Sequence, residues 1–168
     1  MPKTRPLHFL TKPSSSLCNM RCRYCFYADV SDHREVKSYG LMSLETAENL
    51  IRLAFSENPL SLHFAFQGGE PSLRGLDFYR DFVDLVDRYN TSDTPVEFSM
   101  QTNGFVIDEE WTEFFKAHNF LMGLSLDGTV RTHNVNRLGP ENEGTFRRVW
   151  EVAEMFQKAG VEFNILTV

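Results

Sequence analysis

Three cysteines occur in the chain of 168 residues, and all three lie in one short segment. Cys18, Cys22 and Cys25 follow the spacing Cys-x3-Cys-x2-Cys, whereas cysteines used for packing would be scattered along the chain. Three thiolates this close can bind one metal centre, and iron–sulfur clusters are held mainly by cysteine thiolates. A cubane cluster usually takes four cysteines, so three would leave one iron without a protein ligand. An open coordination position is typical of a metal site that performs chemistry.

Two other uses of these cysteines are less consistent with the sequence. A structural disulfide is disfavoured because the number of cysteines is odd and Met1–Arg5 lacks the apolar segment of a secretory signal. A zinc site could recruit His8 or His33 as a fourth ligand. Zinc sites, however, usually combine a short cysteine knuckle with a distant second pair of ligands. The spacing therefore favours an iron–sulfur cluster, and zinc stays the alternative.

Composition and charge exclude several classes of function. The formal charge is −6, from 17 lysines and arginines against 23 aspartates and glutamates, which argues against a non-specific nucleic-acid binder. The sequence has no apolar run of about 18 residues, so we expect no membrane span. Free thiols without an export signal predict a reducing cytoplasm. The length and a hydrophobic content of 42% predict one globular domain over residues 1–168.

Short apolar runs alternate with helical patterns along the chain. The predicted strands are Leu7–Leu10, Leu62–Phe66, Val96–Met100, Leu121–Ser125 and Phe163–Val168. Four main helices are predicted between them, and the last carries Trp150 towards the core and ends at Gly160. This alternation predicts an α/β fold whose parallel strands are joined by crossover helices. The fifth strand has no helix after it, so the sheet is either open or the front part of a longer barrel.

Polar and glycine-rich segments follow the predicted strands where each one ends. The cysteine segment follows the first strand, and the later strands end in Gln67–Pro71, Gln101–Gly104 and Ser125–Gly128. Each of these could be an ordinary turn, because Gly-Gly, Asn-Gly and Asp-Gly are common turn dipeptides. Parallel α/β folds place ligands at the carboxyl ends of their strands. We therefore expect these segments to form one binding site beside the cysteines.

Taken in order, these segments resemble the radical S-adenosylmethionine (radical SAM) enzymes, in which the cysteine motif is followed by Gly-Gly-Glu-Pro. More narrowly, they resemble the anaerobic sulfatase-maturating enzymes over nearly the whole chain. The segments that carry the resemblance are Lys12–Ser14, Cys18–Tyr27, Phe66–Leu73, Gln101–Gly104, Ser125–Gly128 and Gly144–Phe146. It implies an incomplete (β/α)6 partial barrel in which about five strands are present.

The resemblance also implies two cofactors, a 4Fe–4S cluster and S-adenosylmethionine. Cys18, Cys22 and Cys25 would hold three irons, and the amino and carboxylate groups of S-adenosylmethionine would bind the fourth. Reduction of the cluster would cleave the sulfonium and give a deoxyadenosyl radical that abstracts hydrogen from a substrate. The cofactor carries this chemistry, and the protein orients it and excludes water.

Seven positions match the family's contacts with S-adenosylmethionine: Tyr24, Gln67, Gly68, Gly69, Glu70, Ser125 and Arg137. The resemblance implies that Tyr24 lies by the adenine. Gly68 and Gly69 would allow the backbone to approach the methionyl ammonium closely. Glu70 would accept a hydrogen bond from that ammonium.

Ser125 and Arg137 match positions that contact the ribose and the carboxylate, and the guanidinium fork of Arg137 suits a carboxylate. Gln67 would lie by the cofactor and the substrate. Structural alternatives stay open from the residues alone. Tyr24 could be a packing aromatic, Glu70 could cap the following helix, and Arg137 could be a solvated loop charge.

The resemblance implies a function for a longer protein. Family members are more than twice as long, with a cysteine-rich domain for two auxiliary clusters and a carboxylate that takes the substrate proton. We therefore expect residues 1–168 to be a radical SAM core that is truncated at its C-terminal side. The family reaction oxidises a sulfatase cysteine or serine to formylglycine, which makes a sulfatase polypeptide the expected substrate.

A second hypothesis comes from another class of protein. The chain could be a non-catalytic metal-binding or scaffold protein that acts through a partner chain. In either case an uncovered parallel sheet has an unpaired edge and exposed apolar surface, which favour association. The sequence therefore predicts self-association or a partner chain at the open sheet edge.

Overall fold

The computed structural model describes residues 3–168, and its centre is one sheet of five parallel strands in sequential order. The strands are β1 (Leu7–Thr11), β2 (Leu62–Phe66), β3 (Val96–Thr102), β4 (Leu121–Ser125) and β5 (Phe163–Leu166). Each parallel pair is joined by a crossover that contains at least one helix, as parallel pairing requires. The predicted α/β fold is confirmed as an open five-stranded sheet, although β5 ends two residues before the predicted Val168.

Helices occupy every crossover. They are α1 (Phe26–Asp32), α2 (Leu44–Ser56), α3 (Leu76–Tyr89), α4 (Glu109–Ala117), α5 (Val130–Asn136) and α6 (Phe146–Ala159). The four longer ones are the helices that apolar periodicity predicts. The short helices α1 and α5 are not predicted by apolar periodicity, because α1 buries no residue and α5 buries only His133. Within residues 3–168 none of the helices has the length and apolar character needed to cross a membrane.

An aromatic core lies between the sheet and the helices. Leu62, Phe64 and Phe66 alternate along β2 with less buried residues, so one face of the strand is packed and the other is more open. Phe64 stacks on Phe98 of β3 and meets Phe82 of α3 edge to face. The helices therefore cover one face of the sheet, and the residues on its opposite face are available to the site.

Trp150 does not enter this core, so its predicted inward position is wrong. The buried face of α6 is formed by Val149, Val152 and Phe156, and Trp150 is 48% exposed. Successive residues of an α-helix are about 100° apart around its axis, which turns Trp150 away from Val149. Its ring stacks on Phe146 with the centroids 5.7 Å apart.

Candidate functional site

An open cavity of about 360 Å³ lies at the carboxyl ends of the strands. Its wall contains every residue for which the sequence predicts metal or cofactor contact: Cys18, Cys22, Tyr24, Cys25, Gln67, Gly68, Gly69, Glu70, Ser125 and Arg137. These ten residues come from four separate segments of the chain. The parallel sheet brings these segments together, because the carboxyl ends of its strands lie at one edge. The fold therefore places the predicted residues in one site, and their contacts with a ligand stay predictions.

The cysteine loop leaves β1 through two tight turns. The Ser15 amide donates to the Lys12 carbonyl, and the Leu17 amide donates to the Ser14 carbonyl. These turns direct the chain across the end of the sheet to Cys18. A further turn between Cys22 and Cys25, closed by a 3.2 Å hydrogen bond, brings the third cysteine back to the cavity just before α1 begins.

The thiols differ in their electrostatic surroundings. Cys18 is an exposed residue, yet desolvation of its thiol by the surrounding protein raises the thiol pKa to about 11, against a hydrogen bond from the Met20 amide. Desolvation also raises the pKa of Cys22, against the positive charge of Arg137. The neutral forms of the Cys18 and Cys22 thiols are therefore favoured in the protein alone. A bound cation would displace their protons, because metal ligation deprotonates thiols.

The donor set fits a three-cysteine cluster site. The three thiols line the same cavity, although within residues 3–168 no three His, Cys, Asp or Glu side chains are gathered in metal-binding geometry by the protein alone. The histidines of the zinc alternative do not line the cavity. His8 contacts His63, and His33 pairs with Asp29 of α1. Three soft thiolates without a fourth protein ligand match a cluster that keeps one iron open.

The two glycines after β2 are required by packing within the protein. A Cβ on Gly69 would lie 2.0 Å from the Leu17 carbonyl oxygen, so only glycine fits against the cysteine loop. Gly68 has φ +114°, a conformation that favours glycine. The Gly69 amide donates to Ser15 and the Glu70 amide donates to Leu17. The Gly-Gly segment thus holds the cysteine loop in place, in addition to any approach to a ligand.

The Glu70 carboxylate joins two of the site's loops. Its Oε1 accepts from the Ser72 amide, the Ser72 hydroxyl and the Thr102 hydroxyl, and its Oε2 accepts from the Asn103 amide at 2.7 Å. The residue is 1% exposed, and desolvation raises its pKa although all of these donors favour the charged form. Glu70 therefore caps the 3-10 turn at Pro71–Arg74, and its Oε2 has one protein donor where Oε1 has three.

Arg137 and Tyr24 both bind the carboxylate of Asp127, which lies behind the cavity wall. Arg137 Nη2 lies 3.0 Å from Asp127 Oδ1, and the Tyr24 hydroxyl donates to Asp127 Oδ2 at 2.8 Å. The guanidinium carbon lies 5.3 Å from the Tyr24 ring centroid. Arg137 Nε is buried and has no hydrogen-bond partner within residues 3–168. An orphaned cationic donor beside a cavity is a feature that an anionic ligand would satisfy.

The remaining polar side chains of the wall lie at the ends of β2, β3 and β4. Gln101 Nε2 donates to Ser125 Oγ at 3.0 Å, and Gln67 lies at the end of β2. The Gln101 side chain occupies space that is free because residue 123 is glycine, since a Cβ on Gly123 would lie 2.1 Å from Gln101 Oε1. Ser125 is therefore held in place by a neighbouring strand.

Sequence reasoning missed two residues that organise the site. Asn103 lines the cavity and places its Nδ2 3.7 Å from Cys18 Sγ. Asp127 is not in the wall, but it holds two residues that are. Both lie in segments that also read as ordinary turns, and the available signals were their position after a strand and the resemblance that these segments carry. The His133 ring accepts a hydrogen bond from the Asp127 amide and contacts the Thr145 hydroxyl, so it connects the loop after β4 to the start of α6.

Comparisons with known proteins show which family this chain resembles. A family model described as the radical SAM superfamily matches residues 13–168. A cysteine-type anaerobic sulfatase-maturating enzyme of Clostridium novyi is 48% identical over 164 residues, which cover 98% of this chain and 44% of the relative. A serine-type anaerobic sulfatase-maturating enzyme of Bacteroides thetaiotaomicron is 32% identical over 168 residues, 99% of this chain and 40% of the relative. The chain thus spans less than half the length of these relatives.

Solved structures share the fold. Native anSMEcpe with bound AdoMet and the Cp18Cys peptide aligns with a TM-score of 0.89 at 43% identity, covering 96% of this chain and 43% of that chain. Native anSMEcpe with bound AdoMet aligns with a TM-score of 0.90 at 44% identity, covering 98% and 44%. The five-stranded sheet therefore matches the corresponding part of these longer structures.

Proposed function

This chain belongs to the radical SAM superfamily, and we propose that it holds a 4Fe–4S cluster on Cys18, Cys22 and Cys25 and binds S-adenosylmethionine beside it. The observation that carries this proposal is the single cavity wall shared by all ten predicted residues. Bound there, the cluster and S-adenosylmethionine would supply one-electron reductive cleavage of the sulfonium and so the capacity to abstract a hydrogen atom from a substrate.

The chain's own residues would bind and orient the cofactor. Arg137 Nε and Ser125 would face its carboxylate and ribose, because they are the cationic and hydroxyl groups of the wall near the end of β4. Tyr24 would contact the adenine. Glu70 Oε2 would accept from the ammonium, since its Oε1 already has three protein donors. Gln67 would lie between the cofactor and the substrate.

For the substrate we propose a sulfatase polypeptide whose cysteine or serine is oxidised to formylglycine, as the names of the similar proteins suggest. We further propose a reducing cytoplasm as its location, since three free thiols persist there. All cysteines of this chain lie in one cavity wall, so none is left for a second cluster. We therefore expect the 168-residue chain alone to form deoxyadenosine without forming formylglycine.

Anaerobic reconstitution tests the cluster. We expect about four irons and four sulfides per chain, because a cubane cluster has that composition. Alanine at any one of Cys18, Cys22 and Cys25 should abolish the cluster. Leu17→Ala is the matched control, because Leu17 is an exposed neighbour in the same loop, and this variant should keep full iron content. A colourless protein with stoichiometric zinc and no iron uptake would contradict the cluster and support the scaffold hypothesis.

Cofactor binding and cleavage are tested separately. Adding S-adenosylmethionine to the reduced cluster should change its EPR spectrum, since a new ligand on the open iron alters its electronic surroundings. Incubation with dithionite should then release deoxyadenosine, measured by mass spectrometry. An unchanged spectrum and no deoxyadenosine from an iron-replete protein would mean that the cluster is structural. Formylglycine in an added sulfatase peptide would show that the chain alone completes the reaction.

A further inference from the structure

Asp127 lies outside the cavity wall but controls two of the residues that form it. The residue follows β4 and its side chain is 2% exposed. Oδ1 accepts from Arg137 Nη2 at 3.0 Å and from the Val168 amide at 3.2 Å, and Oδ2 accepts from the Tyr24 hydroxyl. Its own amide donates to His133 Nδ1 at 3.2 Å, which fixes the start of the loop that leads to α5. Asp127 is thus anchored from both its backbone and its side chain.

Arg137 depends on this anchor for its position. Its side chain is 7% exposed, and Asp127 is its only acidic partner within residues 3–168. Nη2 is occupied by Asp127, while Nε is buried and unpartnered. A guanidinium is planar and rigid, so holding one nitrogen fixes the direction of the others. Asp127 therefore restricts the orientation of the Arg137 guanidinium, and Arg137 is a residue of the cavity wall.

We infer that Asp127, which is itself held by Tyr24, is a positioning residue that orients Arg137 for recognition of the carboxylate of S-adenosylmethionine. This inference rests on the proposed function, because it takes S-adenosylmethionine as the ligand. Asp127 itself does not line the cavity. It holds the guanidinium of Arg137, a residue of the cavity wall, through Nη2, and it holds Tyr24 through its hydroxyl, with the guanidinium carbon 5.3 Å from the Tyr24 ring centroid.

If Asp127 acts by positioning Arg137, its loss should weaken anion binding, whereas if it acts only by its charge, its loss should strengthen anion binding. Coulomb's law alone says that removing a negative charge 3.0 Å from Arg137 would make the guanidinium more attractive to an anion. If Asp127 acts by position, its removal releases a buried cation that can turn away from the cavity towards water. Anion binding then becomes weaker. The sign of the change in affinity therefore separates the two roles.

The test compares two ligands on the reconstituted 168-residue chain by equilibrium dialysis. S-adenosylmethionine carries the carboxylate, and decarboxylated S-adenosylmethionine lacks only that group. Asp127→Asn should weaken binding of S-adenosylmethionine by about fivefold or more, the scale of one charge-assisted hydrogen bond. Binding of the decarboxylated ligand should be unchanged. Asp84→Asn, an exposed acid on α3, should change neither affinity.

Arg137→Ala and Tyr24→Phe keep the test decisive if Asp127→Asn folds poorly. Arg137→Ala should show the same selective loss, and the double variant with Asp127→Asn should lose no more than Arg137→Ala alone, because both act through one contact. Tyr24→Phe removes one anchor of Asp127 and leaves both charges, so it should produce a smaller loss confined to the carboxylate ligand.

Each other outcome overturns the inference. Tighter binding of S-adenosylmethionine by Asp127→Asn would mean that charge, not position, dominates. Equal weakening of both ligands would indicate general damage to the cavity, and an unchanged affinity would leave Asp127 no role in binding. If the wild-type chain binds neither ligand, the proposed function fails as well. If the wild-type chain binds S-adenosylmethionine but Asp127→Asn does not lose affinity for this ligand selectively, only the inference about Asp127 fails.

Discussion

The Glu70 carboxylate accepts a hydrogen bond of 2.7 Å from the Asn103 backbone amide, and this bond connects the loop after β2 to the loop after β3. Glu70 is 1% exposed and Asn103 is 8% exposed, so the contact is shielded from water. Asn103 in turn reaches Cys18 through its side chain. The cysteine loop is therefore held from two sides by loops that follow different strands.

Replacing Glu70 with glutamine should destabilise the protein. The amide group of glutamine can satisfy either the Oε1 donors or the Asn103 amide, but not both, so at least one buried donor loses its partner. Such a loss costs about 1–3 kcal/mol. Urea unfolding of the metal-free chain under reducing conditions measures the change in the free energy of unfolding. Glu113→Gln, on the exposed side of α4, is the control, and equal stability of the two variants would contradict the prediction.

Asn103→Asp should lower the reduction potential of the reconstituted cluster. Asn103 Nδ2 lies 3.7 Å from Cys18 Sγ, and its Oδ1 accepts the Phe105 amide. Aspartate keeps the second contact, removes the donor to sulfur and adds a negative charge, which disfavours the reduced cluster. One hydrogen bond of about 1 kcal/mol corresponds to about 40 mV for a one-electron couple. A redox titration followed by EPR measures the potential.

Asn49→Asp provides the control for charge in this titration, because Asn49 lies on α2, outside the cavity wall. It adds the same negative charge without removing a donor to sulfur. Its potential should stay close to that of the wild type. A potential for Asn103→Asp that is equal to or higher than that of Asn49→Asp would refute the proposed contact with the cluster ligand.

The stabilising effect of Asp127 should disappear at acidic pH. Burial opposes its ionisation, but hydrogen bonds from Arg137, Tyr24 and the Val168 amide outweigh burial and lower the pKa of Asp127 below its ordinary value of 3.8. A carboxyl whose pKa is lower in the folded state stabilises the protein above its unfolded pKa. That contribution is lost as the pH falls through the folded pKa.

The difference in unfolding free energy between wild type and Asp127→Asn measures this effect in the metal-free chain. At neutral pH we expect it to be about 1–3 kcal/mol, the scale of hydrogen bonds to a charged group. It should be constant down to about pH 4 and shrink below that value. A difference that stays constant from neutral to strongly acidic pH would show that ionisation of Asp127 does not contribute.

The edge of the sheet at β5 should cause self-association of the 168-residue chain. Ile165 pairs with Leu124 in register and so points to the same face, yet Leu124 is fully buried and Ile165 is 50% exposed. Exposed apolar surface beside an unpaired strand edge favours association. Sedimentation velocity over a wide concentration range should show oligomers that Ile165→Lys reduces. Leu53→Lys, at an exposed site on α2, should leave them intact, and a monomeric wild type would disprove the prediction.

The sequence determined the fold class and indicated which segments meet at the carboxyl ends of the strands. Apolar periodicity located all five strands and the four long helices, because an element that buries one face has apolar residues at regular intervals in the sequence. Parallel strands bring their carboxyl ends to one edge, so Cys18 and Glu70 could be assigned to the same site without coordinates. The tight cysteine spacing and the resemblance then indicated the chemistry.

Only the tertiary structure decided which groups face one another. Tyr24 and Asp127 are 103 residues apart in the chain, and their contact depends on how the cysteine loop lies across the end of β4. The three donors on Glu70 Oε1 and the outward position of Trp150 likewise depend on loop paths and helix rotation. Residue spacing fixes local backbone geometry and the face of an element, but partners of a buried polar group are set by packing between distant segments.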